Sequence, residues 1–206
     1  LAKGEWDPHT IIPRPSFIGK VRQADLLIIN GAQLEIGWLP PLLKQSNNSK
    51  IQVGQPGLLD LSKSVTLIGV VTTSPSRAGG DVHPDGNPHF YLDPNNIPLI
   101  ASFITVRLSL MDQTNTNQYD NNYTLFITGW EKKQIEWFKK LESLKDYKVI
   151  EYHRIFDYLI KSFQLQLFAT LEPLPGIPPT SQYIENLEGK MNKEKIIAIV
   201  AILIVL

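Results

Sequence analysis

A chain of 206 residues with 43% hydrophobic content is long enough to bury a core as one large domain or two small lobes. Twenty basic residues balance twenty acidic ones, so no net field attracts nucleic acid or an anionic membrane. Cysteine is absent, which removes disulfides, thiolate zinc sites and thiol catalysis together and leaves any transition-metal site to histidine and carboxylate.

In chain order, the start LAKGEWDPHT reads as mature sequence, without a visible signal peptide and with its true start expected upstream. Residues 6–14, WDPHTIIPR, place His9 in a proline-punctuated loop where Asp7 would orient the ring; a locally bonded histidine and a ligand fit that pattern equally well. Residues 16–24 predict a short helix, and the Leu/Ile run of 25–30 predicts a buried strand ending at the turn Asn30-Gly31. Residues 34–45 predict a helix broken by Pro40 and Pro41, with Trp38, Leu39 and Leu42 in the core. Residues 47–57 are polar turn material, and the β-branched run 65–71, VTLIGVV, predicts another buried strand.

The stretch 79–94, GGDVHPDGNPHFYLDP, gathers two histidines, three aspartates and conformation-fixing Gly and Pro. Pro88 and Pro94 bracket His89, and Asp93 before Pro94 predicts a capped helix start. Lying beyond the carboxyl end of the 65–71 strand, His89 would sit where open parallel sheets collect ligands. Residues 97–111 predict a mostly apolar helix. Residues 114–144 predict the longest one, roughly 45 Å at 1.5 Å per residue, with aromatics at three- and four-residue steps as packing and a lysine-rich solvent face. A strand at 147–152 delivers His153, and a helix at 156–163 and a strand at 165–170 follow. Glu172 reads as a cap or hinge carboxylate at the head of the proline-rich loop 172–180. Thr180 or Ser181 would cap a helix at 182–191, and 196–200 would close as a strand. The apolar run 196–206 is well short of the roughly 20 residues a membrane span requires. The alternation is that of an α/β protein with parallel sheets flanked by helices.

Of four histidines, His9, His89 and His153 occupy loops or strand ends with conformation-fixing neighbours. The phrases DPHTIIPRPS, ADLLIINGAQLE, GDVHPDGNPHFYLDP, YHRIFDY and TLEPLPGIPPT, in that order, resemble the zinc and manganese solute-binding proteins of bacterial metal-importing ABC transporters, over roughly residues 3–200. The resemblance implies two α/β lobes joined by one long rigid helix, with a metal in the cleft: residues 1–111 as the amino-terminal lobe, 112–144 as the link and 145–206 as an incomplete carboxyl-terminal lobe. It places the metal ligands on His9, His89 and His153. The family's usual amino-terminal strand is missing, as is the late segment that supplies an acidic ligand after KEKIIAIV. The long histidine-rich loop of some zinc members is also lacking; His83 lies near its place and reads as a solvated loop residue.

Imidazole donors suit zinc, whereas manganese sites carry more carboxylate oxygen, so Zn2+ is the expected cargo, with Mn2+ as the other candidate. The expectation is a monomeric, non-enzymatic, adhesin-related solute-binding protein, periplasmic or on the cell surface, that delivers metal to an ABC transporter permease and binds no nucleic acid. The alternatives are a zinc-dependent hydrolase using the same three histidines and a metal-independent adhesin or scaffold. For the hydrolase, Asp7, Glu151 and Glu172 are the available carboxylates, and none stands in an H-E-x-x-H arrangement.

Overall fold

The computed structural model describes residues 1, 6–70, 83–174, 177–191 and 196–198. Two small parallel sheets lie on either side of a pair of long helices in the chain order, giving an α/β architecture.

The first sheet pairs β1 (Leu27–Ile29) with β2 (Leu58–Asp60) in parallel, Leu27 opposite Leu58 and Ile29 opposite Asp60. Helix α1 (Pro15–Gln23) starts on Pro15, whose fixed φ suits the first helical position, and ends with Lys20 and Arg22 near its negative pole. Phe17 and Val21, one turn apart, face α2 (Leu39–Ser46) and share a core with Ile11, Trp38, Leu42, Leu43 and Ile51. Pro40 and Pro41 do not break this helix. They occupy its first turn, where the missing N–H groups have no helical partner to lose, and α2 ends at Asn47 in the left-handed conformation. Strand β2 has no counterpart in the expected elements, since three residues carry too little alternation to stand out.

The expected strand at 65–71 does not form over its described part, 65–70. Its backbone is engaged elsewhere: the Ile68 N–H donates to the Tyr158 hydroxyl at 3.1 Å and the Ile68 carbonyl accepts from the Asn87 N–H at 2.8 Å. Gly69, at φ +70°, turns the chain out of extended geometry. His89 therefore does not follow a strand end.

A single 3₁₀ turn, Phe90–Leu92, precedes α3 (Asn96–Met111). Asp93 does not cap that helix. Its carboxylate accepts from the Asn95 N–H one residue short of the start, and Asn95 makes no side-chain cap bond. Helix α4 (Thr116–Leu141) runs for 26 residues, about 39 Å, between short 3₁₀ turns. Along it Phe126 stacks on Trp130 at a centroid spacing of 5.9 Å, and Trp130 meets Trp137 edge to face at 5.2 Å. The Trp130 indole donates to the Pro94 carbonyl at 3.0 Å, tying α4 to the segment after His89.

The second sheet has the order β4-β3-β5, all parallel: β3 (Lys148–Glu151), β4 (Gln166–Thr170) and β5 (Ile196–Ala198). The crossover from β3 to β4 is α5 (Asp157–Ser162), and α6 (Ser181–Met191) leads toward β5. Thr180 caps α6 by accepting from the Tyr183 N–H. Among the described residues no helix is long and apolar enough to cross a membrane; residues 199–206 lie outside the description.

Candidate metal centre

The three predicted histidines come together. Ring centroids of His9 and His89 are 5.8 Å apart, His89 and His153 6.1 Å, and His9 and His153 6.5 Å. The rings come from the loop before α1, the loop before α3 and the end of β3, so distant stretches of chain meet at one point.

Each ring is held through Nδ1. The Asp7 carboxylate lies 2.8 Å from His9 Nδ1 and also accepts from the His9 N–H and the Thr10 hydroxyl, closing the D-P-H turn on itself. Burial pushes the Asp7 pKa up, but these hydrogen bonds outweigh it and hold the carboxyl below its ordinary value. The Glu172 carboxylate lies 2.7 Å from His153 Nδ1, and Tyr91 places its hydroxyl 3.2 Å from His89 Nδ1. A carboxylate against Nδ1 fixes the proton there and leaves Nε2 as the lone-pair nitrogen, the second-layer arrangement common around metal-binding histidines. His9 Nε2 is buried and has no hydrogen-bond partner. Glu172 is thus a partner of His153 rather than a cap or hinge, a role that a separation of 19 residues conceals in the sequence.

The His89 ring is neutral at ordinary pH. His89 is buried, and its pKa falls to about 3, first through loss of water and then through the nearby His9, His153 and His83 rings. A neutral imidazole is the form that coordinates metal. Glu151, the last residue of β3, is pushed up to about 7 by burial; one oxygen accepts from the Phe156 N–H, and Oε1 has no hydrogen-bond partner.

The His9 loop is braced by Trp38, whose indole donates to the Pro8 carbonyl at 2.8 Å. The His89 loop is braced by Asn30, whose amide donates to the Pro88 carbonyl at 2.8 Å. Asn30 sits at the exit of β1, where Glu35 accepts from the Asn30 and Gly31 N–H groups and stabilises the left-handed turn Gly31-Ala32-Gln33. At Gly86, φ +118°, a Cβ would meet the Leu67 side chain at 2.9 Å and the Ile68 carbonyl at 3.0 Å, so only glycine lets this loop lie on segment 65–70.

His83 differs from its expected solvated state: it is half-buried, with its ring centroid 5.4 Å from that of His9. Among the described residues, no group of three or more His, Asp or Glu is gathered tightly enough to hold an ion as it stands. With zinc–nitrogen bonds of about 2.0 Å, neighbouring ring centroids would be about 5 Å apart, so the three rings need to close by about 1 Å each. That is a side-chain adjustment.

Comparison with known proteins is consistent with this architecture. The chain is similar to the metal ABC transporter substrate-binding lipoprotein FimA of Streptococcus parasanguinis, 27% identical over 199 residues that cover 94% of this chain and 60% of the relative. It is also similar to the manganese ABC transporter substrate-binding lipoprotein PsaA of Streptococcus pneumoniae, 25% identical over 196 residues that cover 92% and 59%. The chain thus spans about 60% of the length of these relatives. A crystal structure of ZnuA superposes with a TM-score of 0.74 at 24% identity, covering 94% of this chain and 68% of that one. A zinc-bound ZnuA deletion mutant gives 0.73 at 25%, covering 94% and 67%. The family described as zinc-uptake complex component A, periplasmic, matches residues 1–202, and the chain belongs to that family.

Proposed function

We propose that the protein is a carrier that captures a divalent transition metal outside the cytoplasm and passes it to the permease of an ABC transporter, acting as a single chain and performing no chemistry on its cargo. The observation that carries this reading is the meeting of His9, His89 and His153, each with Nδ1 already engaged by Asp7, Tyr91 or Glu172. Such a site presents three ring nitrogens to an incoming ion from imidazoles whose other nitrogen is already engaged. Because Asp7 and Glu172 are spent on orienting rings, neither is placed to act as the base of a hydrolase.

Zn2+ is the cargo we favour, because three imidazoles suit it better than they suit manganese. Relatives bear names that include manganese and iron, so the donor set of this chain supports the choice and the names of its relatives do not. Residues 1–111 and 145–206 are read as two lobes linked by 112–144, with the metal between them. The lipoprotein names of the relatives support a place on the outer side of a membrane.

The test is metal analysis after loading with zinc or manganese, with thermal melting of each form. One tightly held zinc per chain, a melting temperature raised by zinc and reversed by chelator, and no zinc-dependent ester or peptide turnover are expected. A ligand confined to the folded state adds about 4 kcal/mol at a thousand-fold excess over Kd. A melting curve indifferent to zinc and chelator refutes the reading.

A further inference from the structure

We propose that Asn87 is a positioning residue for the metal centre: one side chain that sets the placement of His89 relative to His153. The inference rests on the metal-capture reading above.

Asn87 makes bonds in two directions. Its Oδ1 accepts from the His89 N–H at 2.9 Å, closing a turn that fixes the backbone carrying the ring. Its Nδ2 donates to the Arg154 carbonyl at 3.0 Å and to Asp157 Oδ2 at 3.0 Å. Arg154 follows His153 directly, so the amide group joins the backbone at one ligand to the backbone beside another, across 67 residues of sequence. Asp157 is held in turn by the Arg154 guanidinium at 2.9 Å.

The main chain of Asn87 repeats the connection. Its carbonyl accepts from the Tyr158 hydroxyl at 2.8 Å, and the same hydroxyl accepts from the Ile68 N–H. Tyr158 is 2% exposed and packs in one core with Phe90 and Ile100, so its oxygen is held at a fixed place. Two of the three rings are therefore referred to one residue, and their separation depends on it. An asparagine is required by the chemistry: one end must accept and the other must donate, and an aspartate can do only the first.

That asymmetry provides the experiment. Asn87→Asp keeps the acceptor toward His89 but turns a carboxylate toward the Arg154 carbonyl and the Asp157 carboxylate. Asn87→Ala removes both ends. Zinc affinity of the full chain is measured by competition with a chromogenic chelator, and Co2+ is loaded for its visible absorption, which reports ligand geometry. Far-UV circular dichroism checks folding. Both variants are expected to lose at least tenfold in zinc affinity and to alter the Co2+ spectrum while remaining folded. If Asn87→Asp binds zinc like wild type with an unchanged Co2+ spectrum, the reach to Arg154 and Asp157 positions nothing and the inference fails. Should neither Asn87 variant fold, Tyr158→Phe removes only the hydroxyl that supports Asn87. A several-fold affinity loss with a shifted Co2+ spectrum supports the proposal, and wild-type values overturn it. Wild-type protein that takes up no zinc overturns the metal reading itself, and this inference with it.

Discussion

The two carboxylate–histidine pairs of the centre look alike at the ring and differ in everything behind it. His9 is held by Asp7 two residues away at 2.8 Å, with the aspartate side chain 49% exposed. His153 is held by Glu172 at 2.7 Å from beyond the next strand, with the glutamate only 11% exposed. A water-exposed pair competes with solvent, whereas a shielded one keeps its attraction and requires the tertiary fold to exist at all. The amino-side ring is thus fixed by a local turn, and the carboxyl-side ring by the second sheet.

The largest expected effect is at His153 itself. His153→Ala should weaken zinc binding more than about a hundred-fold, since even second-layer losses cost 10–100-fold. His83→Ala should cost much less, because the three other rings still meet without it. Competition titration measures both, and an equal loss would overturn the ligand assignment. Next come the carboxylates. Glu172→Gln is expected to cost about 10–100-fold in zinc affinity and Asp7→Asn less, because water can take over the role of an exposed aspartate. Equal losses would erase the distinction between local and tertiary support.

The halves should also separate by pH. His89, held near 3 against an ordinary 6.5, binds fewer protons folded than unfolded, so its share of stability is present above pH 6.5 and is lost as pH falls toward 3. Glu151, raised from 4.5 to about 7, acts in the opposite sense: its share is present below pH 4.5 and is lost as pH rises through 7. Urea unfolding of the metal-free protein should therefore be nearly flat between about pH 4.5 and 6.5. Glu151→Gln removes one of the opposing slopes, and stability should then climb with pH by up to about 3 kcal/mol across that interval. A flat profile in the variant counts against the lowered pKa of His89, and a wild-type profile that already climbs across this interval counts against the raised pKa of Glu151. The smallest effect concerns shape. With α4 continuous, zinc should close the rings without swinging one half against the other, and a large change in radius of gyration by X-ray scattering would contradict this.

Much of this was legible in the sequence because its causes are local. The D-P-H turn, the periodicity of α3 and α4 and the Thr180 cap all act within a few residues. The residues that complete the centre were less visible. Glu172 and Tyr158 reach it only through the second sheet and α5, and nothing near either in the chain marks that reach. Segment 65–70 misled in the other direction: its β-branched run has the composition of a strand, yet Tyr158 and Asn87 take the Ile68 backbone groups that a neighbouring strand would have used. For Asn87 a signal existed, since an asparagine two residues before a histidine is a common turn former. Its second set of partners lay 67 and 70 residues away.

The two indole braces give the molecule built-in optical reporters. Trp38 is bonded to Pro8 beside His9, and Trp130 is bonded to Pro94 in the segment that carries His89. Tryptophan emission responds to the polarity and contacts around the ring, so a shift of either histidine loop is passed to a fluorophore through one hydrogen bond. With Trp6 and Trp137 replaced by phenylalanine, replacing Trp38 or Trp130 in turn would let the arrival of metal be followed from each side of the centre separately, in real time and without an attached dye.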